Sequence, residues 1–463
     1  VEENNNTKET WRARLRRLGK EYFELEEMER LGFLDLDLVD IALFKDKLAE
    51  LSRLRSRLRK LNKDLTSLED IDTLIKEVRK LRIERVRKER IVKKAERAEK
   101  LRKKREAEAL RRQNTPSYLG EGVSLGLHYK DTEEDKLGAS GFPVIRNVAE
   151  LGEAMGLTPS DISWLSYHRR VASNDHYHRF YIPKKKGGQR LIASPKRKLR
   201  IAQGWILGEI LSKVPLNEHA MAFRSGLSIK DNAEKHLQKK VVIRIDLKDF
   251  FPSIKFKRIK GLFRHFGYSE GIASILGLIC SDAARIEAKL DDKPYHIALS
   301  ERYLPQGACT SPALTNIICR KLDRRLAGLA QKWGYTYTRY ADDIVLSHEE
   351  EVKGLGAFLK FVKAIIEEEG FEVNEEKLKV MRPHSRQVVT GIVVNKHLNI
   401  SRRDYRNFRS FLHHYSEKGA EEMSKKIGKN ATQYAKGYFS FMRMVAPHKA
   451  ERIKEKYPWL ENN

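Results

Sequence analysis

The chain has 463 residues, 40% of them hydrophobic, which is enough for a sizeable core and for two to four modules. Lys and Arg number 92 against 64 Asp and Glu, a formal net charge of +28, and a soluble protein this basic most often neutralises phosphates. Three cysteines without a Cys-x-x-Cys pair argue against a disulfide scaffold or a cysteine-rich zinc site. With no apolar run near the ~20 residues of a membrane span, and no signal-peptide core in "VEENNNTKETWRARLRR", the expectation is a cytoplasmic protein without membrane contact.

Residues 10 to 112 read as almost entirely helical. Leu15, Leu18, Phe23, Leu25 and Met28 predict a first helix that stops at Leu31-Gly32. A second follows in "LVDIALFKDKLAELSRLRSRLRKL", and Thr66 or Ser67 is the expected N-cap of the next. From Lys76 to Arg112 there are 18 Lys and Arg against 7 Glu, a net charge of +11, with no Gly or Pro. As one helix this stretch spans about 55 Å. It is either a solvated charged helix or an arm for nucleic acid or a partner.

Five glycines and two prolines in 113–143 predict a linker and the main boundary. Beyond it the texture is mixed. "VAELGEAMGLTPSDISWLSYHRRV" is helix-turn-helix-like, "HRFYIPKKKGGQRLIASP" reads as a hairpin turning at Lys-Lys-Gly-Gly, and "KKVVIRIDLKDFFPSI" is a buried strand entering a loop. The last 65 or so residues are helical and basic. The expected organisation is a helical extension over 1–112, a linker over 113–143, a mixed α+β region over 144–395 and a helical region over 396–463.

The stretch "TYTRYADDIVLS", residues 336–347, carries the chemistry. Thr336, Thr338 and Tyr340 alternate with Tyr337 and Arg339, and Ile344, Val345 and Leu346 form a second strand. Asp342 and Asp343 then sit at the tight connection of a hairpin with no cation beside them in the sequence. Two such carboxylates repel each other and resist burial. A hard divalent cation removes both objections. Asp246 ends the strand "VVIRID", with Asp249 three residues on. If that strand lies beside the hairpin, Asp246 and Asp342 can share two metals about 4 Å apart, the arrangement of nucleotidyl transfer. Alone, an Asp-Asp turn is usually just solvated; the order along the chain carries the inference.

These strings resemble the motifs of a reverse transcriptase, and most closely a bacterial retron reverse transcriptase, over about 144–450. Tyr340-Ala341-Asp342-Asp343 is similar to the Y-x-D-D box, and "DLKDFF" to the first carboxylate motif. The resemblance implies a right-hand polymerase, with fingers, an antiparallel palm and a helical thumb. Asp246, Asp342 and Asp343 would be catalytic and, with the Leu247 carbonyl, would bind two Mg²⁺, for which Mn²⁺ can substitute. "LPQGACTSPALTN" would place Gln306 and Gly307 at the incoming dNTP, beside Asp249 and Phe250. Phe251 would exclude a ribose 2′-hydroxyl, unless its ring is simply core. Arg190, in the fingers hairpin, would clamp the triphosphate, and Lys377 would contact pyrophosphate or donate a proton.

"NAEKH", with Asn232 and His236, and "VTG", Val389-Thr390-Gly391, fit retron-type motifs that would help recognise the cognate RNA. Arg402, Arg403, Arg406 and Arg409 fall largely on one helical face and suit a phosphate backbone. Tyr405, Phe408 and Tyr415 either stack on bases or belong to core. The family uses a structured noncoding RNA as template and primer and extends a 2′-hydroxyl of an internal guanosine. It makes branched RNA-linked single-stranded DNA, usually in anti-phage defence with a separate effector protein. Other bacterial reverse transcriptases, from group II introns, diversity-generating systems or defence clusters, are the alternative setting. A catalytically idle RNA-binding scaffold is the alternative class.

Overall fold

A computed structural model describes residues 10–33, 38–65, 71–183, 187–351 and 353–461. The chain divides into two compact units, Val1–Lys104 and Arg105–Asn463. No described helix is long and apolar enough to cross a membrane.

The first unit is helical. The single first helix expected over 15–28 is two, Trp11–Leu18 and Lys20–Arg30, because Gly19 adopts φ 80° and stops the ladder. The helix Leu38–Leu65 follows, and Leu51, Leu54, Leu58 and Leu61 on it are exposed. The expected caps Thr66 and Ser67 lie outside the described residues. The long basic helix is Ile71–Asn114, exposed from Asp72 to Arg112. The pairs Arg85–Glu89, Lys103–Glu99 and Arg112–Glu108 are spaced four residues apart on it. Each is worth about 0.3–0.5 kcal/mol, so they support the helix without packing it.

The segment 113–143, expected as a linker, is built into the core of the second unit: Leu119, Leu137 and Phe142 are buried in its main hydrophobic cluster. One of its glycines is required by close packing. Gly120, at φ 118°, lies so near the His168 carbonyl that a Cβ there would sit 2.1 Å from the oxygen.

Strand β1 (Val171–Ala172) precedes the hairpin β2 (Tyr177–Pro183) and β3 (Gln189–Pro195), whose tip residues 184–186 lie outside the described set. β4 is Val241–Asp246. A further hairpin, β5 (Arg285–Leu290) and β6 (Lys293–Ala298), joins β1 in a three-stranded sheet that no motif announced. Its turn is itself an Asp-Asp pair: Asp291 and Asp292, both at positive φ, both exposed. That is the solvated turn against which the second Asp-Asp pair must be judged.

The central sheet is antiparallel, with β7 (Thr336–Tyr340), β8 (Asp343–His348), β4 and β9 (Lys379–Met381) side by side in that order. Every residue of β4 except Arg244 is buried, so the strand is covered on both faces. Val241, Ile243 and Ile245 enter the main core, with Ile344 and Leu346 of β8. Val242 and Val345 enter a second cluster with Phe408, Leu412 and Phe439 from the C-terminal helices Arg402–Ile427 and Ala431–Val445. By strand alternation, Arg244, Asp246 and Asp343 continue that second face.

Buried histidines set an acid limit on this unit. Burial, with neighbouring cations, lowers His236 to about 3 and His168 and His176 to about 4, from 6.5. The unfolded chain takes up these protons near pH 6.5 and the folded chain does not. The stability they contribute is therefore complete above pH 6.5 and is lost as pH falls towards 4. Calorimetry is expected to show Tm falling through that window; a Tm that holds or rises would contradict it.

Candidate active site

The hairpin β7–β8 turns on two residues, Ala341 and Asp342, with Ala341 at φ 57°. A left-handed alanine costs about 1–2 kcal/mol, and the surroundings hold it there. Arg339, fully buried, donates to the Ala341 carbonyl at 3.2 Å and makes a bidentate pair with buried Asp323 at 2.7 Å. Tyr337 Oη donates to the same carboxylate at 2.7 Å. On the other side, the Leu247 N–H donates to the Asp342 carbonyl at 3.0 Å, locking the turn to the end of β4.

Register then brings the acids together. Asp246 on β4 is the direct cross-strand partner of Asp343 on β8. Asp342 lies on the turn above them. All three are largely withdrawn from water. Burial is the largest cause raising the carboxyls of Asp342 and Asp343 above the usual range, and Asp246 raises both further.

Two cations face this charge. Arg244 grips Asp343 with a fork of 2.8 and 2.6 Å, and Lys377 donates to Asp246 at 2.8 Å. Asn374 supports Asp246 through a backbone bond of 2.8 Å and a side-chain contact of 3.4 Å. Arg244 escaped the sequence reading because it lies 99 residues from Asp343. The available signal was period two: Arg244 precedes Asp246 by two and shares its face.

A cleft of about 270 Å³ opens in front of the acids, lined by Arg190, Asp246, Leu247, Asp249, Phe250, Phe251, Gln306, Asp342 and Lys377 among others. Leu247 buries its side chain. Asp249 adopts φ 44° and starts the short helix Phe250–Ser253. Phe250 is core, packed 5.6 Å from Phe371, whereas Phe251 is only partly buried and lies edge-on to it. Arg190 is exposed on β3. The Ala193 N–H donates to the Gln306 carbonyl at 2.8 Å, seating the hairpin on the Gln306 loop. Gly307 is the residue that permits this: at φ 113°, a Cβ would stand 2.8 Å from both the Ala193 oxygen and Ile192. Gly307 and Asp343 are not among the lining residues.

Among the described residues no cluster of three His, Cys, Asp or Glu side chains forms a ready-made metal centre. The donor set still suits a hard cation. Asp246 and Asp342 line one cleft, and the Asp246 charge helps raise the Asp342 carboxyl. A divalent ion reverses that penalty.

The residues expected to read RNA divide in two. Asn232, His236 and Val389 are fully buried: Asn232 on the short helix Ile229–Glu234, His236 two residues beyond it, and Val389 on the strand Val388–Val389 within the second cluster. Thr390 and Gly391 form the turn beyond, Thr390 half-buried and Gly391 exposed. Arg402, Arg403 and Arg406 are exposed and line a separate cleft of about 780 Å³ with His384, Arg386 and Lys449, and no carboxylate. Phe408 is core, and Tyr415 stacks on Trp459 at 4.6 Å.

Comparison with known proteins gives the setting. Residues 182–409 match the family model described as reverse transcriptase (RNA-dependent DNA polymerase). The chain is 37% identical to the Retron Mx65 reverse transcriptase of Myxococcus xanthus, over 69% of this chain and 73% of that one. It is 35% identical to the Retron Mx162 reverse transcriptase of the same organism, over 80% of each. To the Retron Ec86 reverse transcriptase of Escherichia coli it is 32% identical, over 68% of this chain and 89% of that one.

Proposed function

The chain belongs to the retron reverse transcriptases and is an RNA-directed DNA polymerase with that family's fold; from that premise we propose that it copies a structured noncoding RNA into branched, 2′-primed single-stranded DNA. The observation that carries the proposal is the register that sets Asp246 against Asp343, with Asp342 on the adjoining turn.

Asp246, Asp342, Asp343 and the Leu247 carbonyl would hold two Mg²⁺, or Mn²⁺ in their place. Such a pair, when bound, activates a hydroxyl and stabilises the leaving oxygens. The chain's own groups do the rest. Arg190 and Gln306 receive the dNTP from the fingers side of the cleft. Lys377, which donates to Asp246 and lines the cleft, would contact the pyrophosphate or donate a proton to it. Arg244 opposes the rise that burial imposes on the Asp343 carboxyl and fixes its orientation. Cognate RNA is recognised at the Thr390–Gly391 turn and along Arg402, Arg403 and Arg406. The product serves anti-phage defence with a separate effector protein.

Both rings line the cleft, but Phe250 is buried and Phe251 only partly so, which supports Phe251 as the ring beneath the sugar. Phe251→Ala is expected to raise ribonucleotide incorporation by about tenfold or more, the scale of a lost steric contact. Competition between dNTP and rNTP on one primer–template checks this, and unchanged discrimination would remove the gate.

The N-terminal extension, with its exposed basic helix, is proposed as the arm for cognate RNA or a protein partner. Deleting 1–112 is expected to leave extension of a generic primer–template within about twofold and to weaken binding of cognate RNA or that partner. Loss of generic extension would make the extension part of the polymerase itself.

The function is tested by purifying the protein from its host with its bound nucleic acid. A species partly sensitive to RNase and partly to DNase, joined by a 2′–5′ branch, is expected. RNA alone would favour the idle scaffold.

A further inference from the structure

His236 lies at the end of the Asn-Ala-x-x-His stretch, where the expectation was contact with RNA, and it is fully buried. Its ring spans the two strands that carry the acidic turn. Nδ1 meets Ser347 Oγ on β8 at 2.7 Å, and Nε2 meets Thr338 Oγ1 on β7 at 2.7 Å. Both hydroxyls are themselves fully buried.

The register explains why an imidazole fits. Thr338 pairs with Val345 and Ser347 with Thr336, so the two hydroxyls are diagonal neighbours. Such neighbours stand roughly 7–8 Å apart, which a ring with nitrogens on opposite sides can bridge through two hydrogen bonds. Thr338, Val345 and Arg244 form one row across the sheet, and Ser347 and Val242 the next. Asp246, Asp343 and Tyr340 form the row in front. The histidine therefore grips the sheet face that carries the acids, directly behind Arg244.

The short helix Ile229–Glu234 that leads into His236 is tied the other way. Ser228 and Asp231 close a capping box at the start of Ile229–Glu234. Thr390 Oγ1 donates to the Ile229 carbonyl at 3.1 Å, with Thr390 at φ 47°. A Cβ built at Gly391 meets nothing within 4 Å, so the outer side of that turn is open.

We infer that His236 is a positioning residue that clamps the β7–β8 hairpin and, through the helix that leads into it, couples the Thr390–Gly391 turn to the acids of the site. The neutral ring supplies one donor and one acceptor, and each hydroxyl can take either part, so both bonds are satisfied together. A side chain without two opposed polar atoms leaves buried hydroxyls unpaired and frees the hairpin to shift, and small misplacements of catalytic groups are costly in rate. The inference rests on reading Asp342 and Asp343 as the catalytic turn.

The test uses the full chain on a generic RNA template with a DNA primer, reading kcat, KM for dNTP, affinity for cognate RNA, and Tm. His236→Phe keeps the ring and loses both bonds. It is expected to lower kcat about tenfold or more, with KM and RNA affinity within about twofold, and His236→Gln is expected to recover part of the loss. Thr338→Val and Ser347→Ala each remove one bond at nearly constant shape, and remain informative if His236→Phe does not fold. Each is expected to lower kcat a few-fold and to be non-additive with the other. Weakened RNA binding with kcat unchanged would make His236 an RNA contact and overturn the inference. A lower Tm with normal kcat below it would reduce the clamp to packing and also overturn it. Persistence of extension in Asp342→Asn would instead strike at the catalytic reading itself.

Discussion

Asp342→Asn is expected to abolish primer extension, by about 10³-fold or more, while the protein stays folded and keeps its RNA. The size follows from the site's geometry: Asp342 is one of the three acids that the β4–β8 register and the β7–β8 turn bring together to hold cations. The same substitution has a second, less obvious consequence. Burial and the charges of Asp246 and Asp343 raise the Asp342 carboxyl, so its ionised form strains the fold at neutral pH. An uncharged amide removes that strain. Tm should therefore hold or rise as activity disappears. Asp343→Asn should behave differently, because it leaves the half-buried guanidinium of Arg244 without its carboxylate and Tm should fall. Primer extension and thermal melting on both variants check this. Extension that survives Asp342→Asn, or a large loss of Tm in it, would contradict the assignment.

The largest effect on stability is expected at Arg339. Arg339 and Asp323 are each completely buried, joined by two bonds of 2.7 Å, with Tyr337 donating to the same carboxylate. Removing one partner strands the other in a low-dielectric interior, at a cost of about 3–5 kcal/mol. Arg339→Met should lower the unfolding free energy, read from denaturant titration, by that amount. The joint replacement Arg339→Met with Asp323→Leu, which buries no lone charge, should recover much of it. Arg339 also holds the Ala341 carbonyl, so extension measured well below Tm should fall in both variants. A single variant costing under about 1 kcal/mol would mean the pair is not closed in solution.

What could be read in the sequence was whatever local pattern dictates. The hairpin was legible because strand alternation flanks the Asp-Asp pair, although the turn falls on Ala341 and Asp342 and Asp343 opens β8; the buried run before Asp246 marks a central strand. What pattern does not carry is partnership across distance. The acids have no neighbouring cation in the sequence, yet Arg244 and Lys377 reach them across strands. Asn232, His236 and Val389 look like exposed polar signals or a strand start, but tertiary packing buries all three. Glycine and proline in 113–143 suggested slack; in the fold Gly120 instead admits a close contact with His168, and Tyr129 of the segment packs against Gly271 outside it. The hairpin at Asp291-Asp292 and the turn at Asp342-Asp343 share one dipeptide, and only register and burial separate a solvated bend from a site.

Counting bound Mn²⁺ by electron paramagnetic resonance, with primer–template and a non-reactive dNTP analogue, tests most directly whether the acids hold the metal. Two ions per chain are expected in the native protein, and their loss in Asp246→Asn and in Asp342→Asn. Full occupancy retained in both variants would place the metal elsewhere and contradict the account.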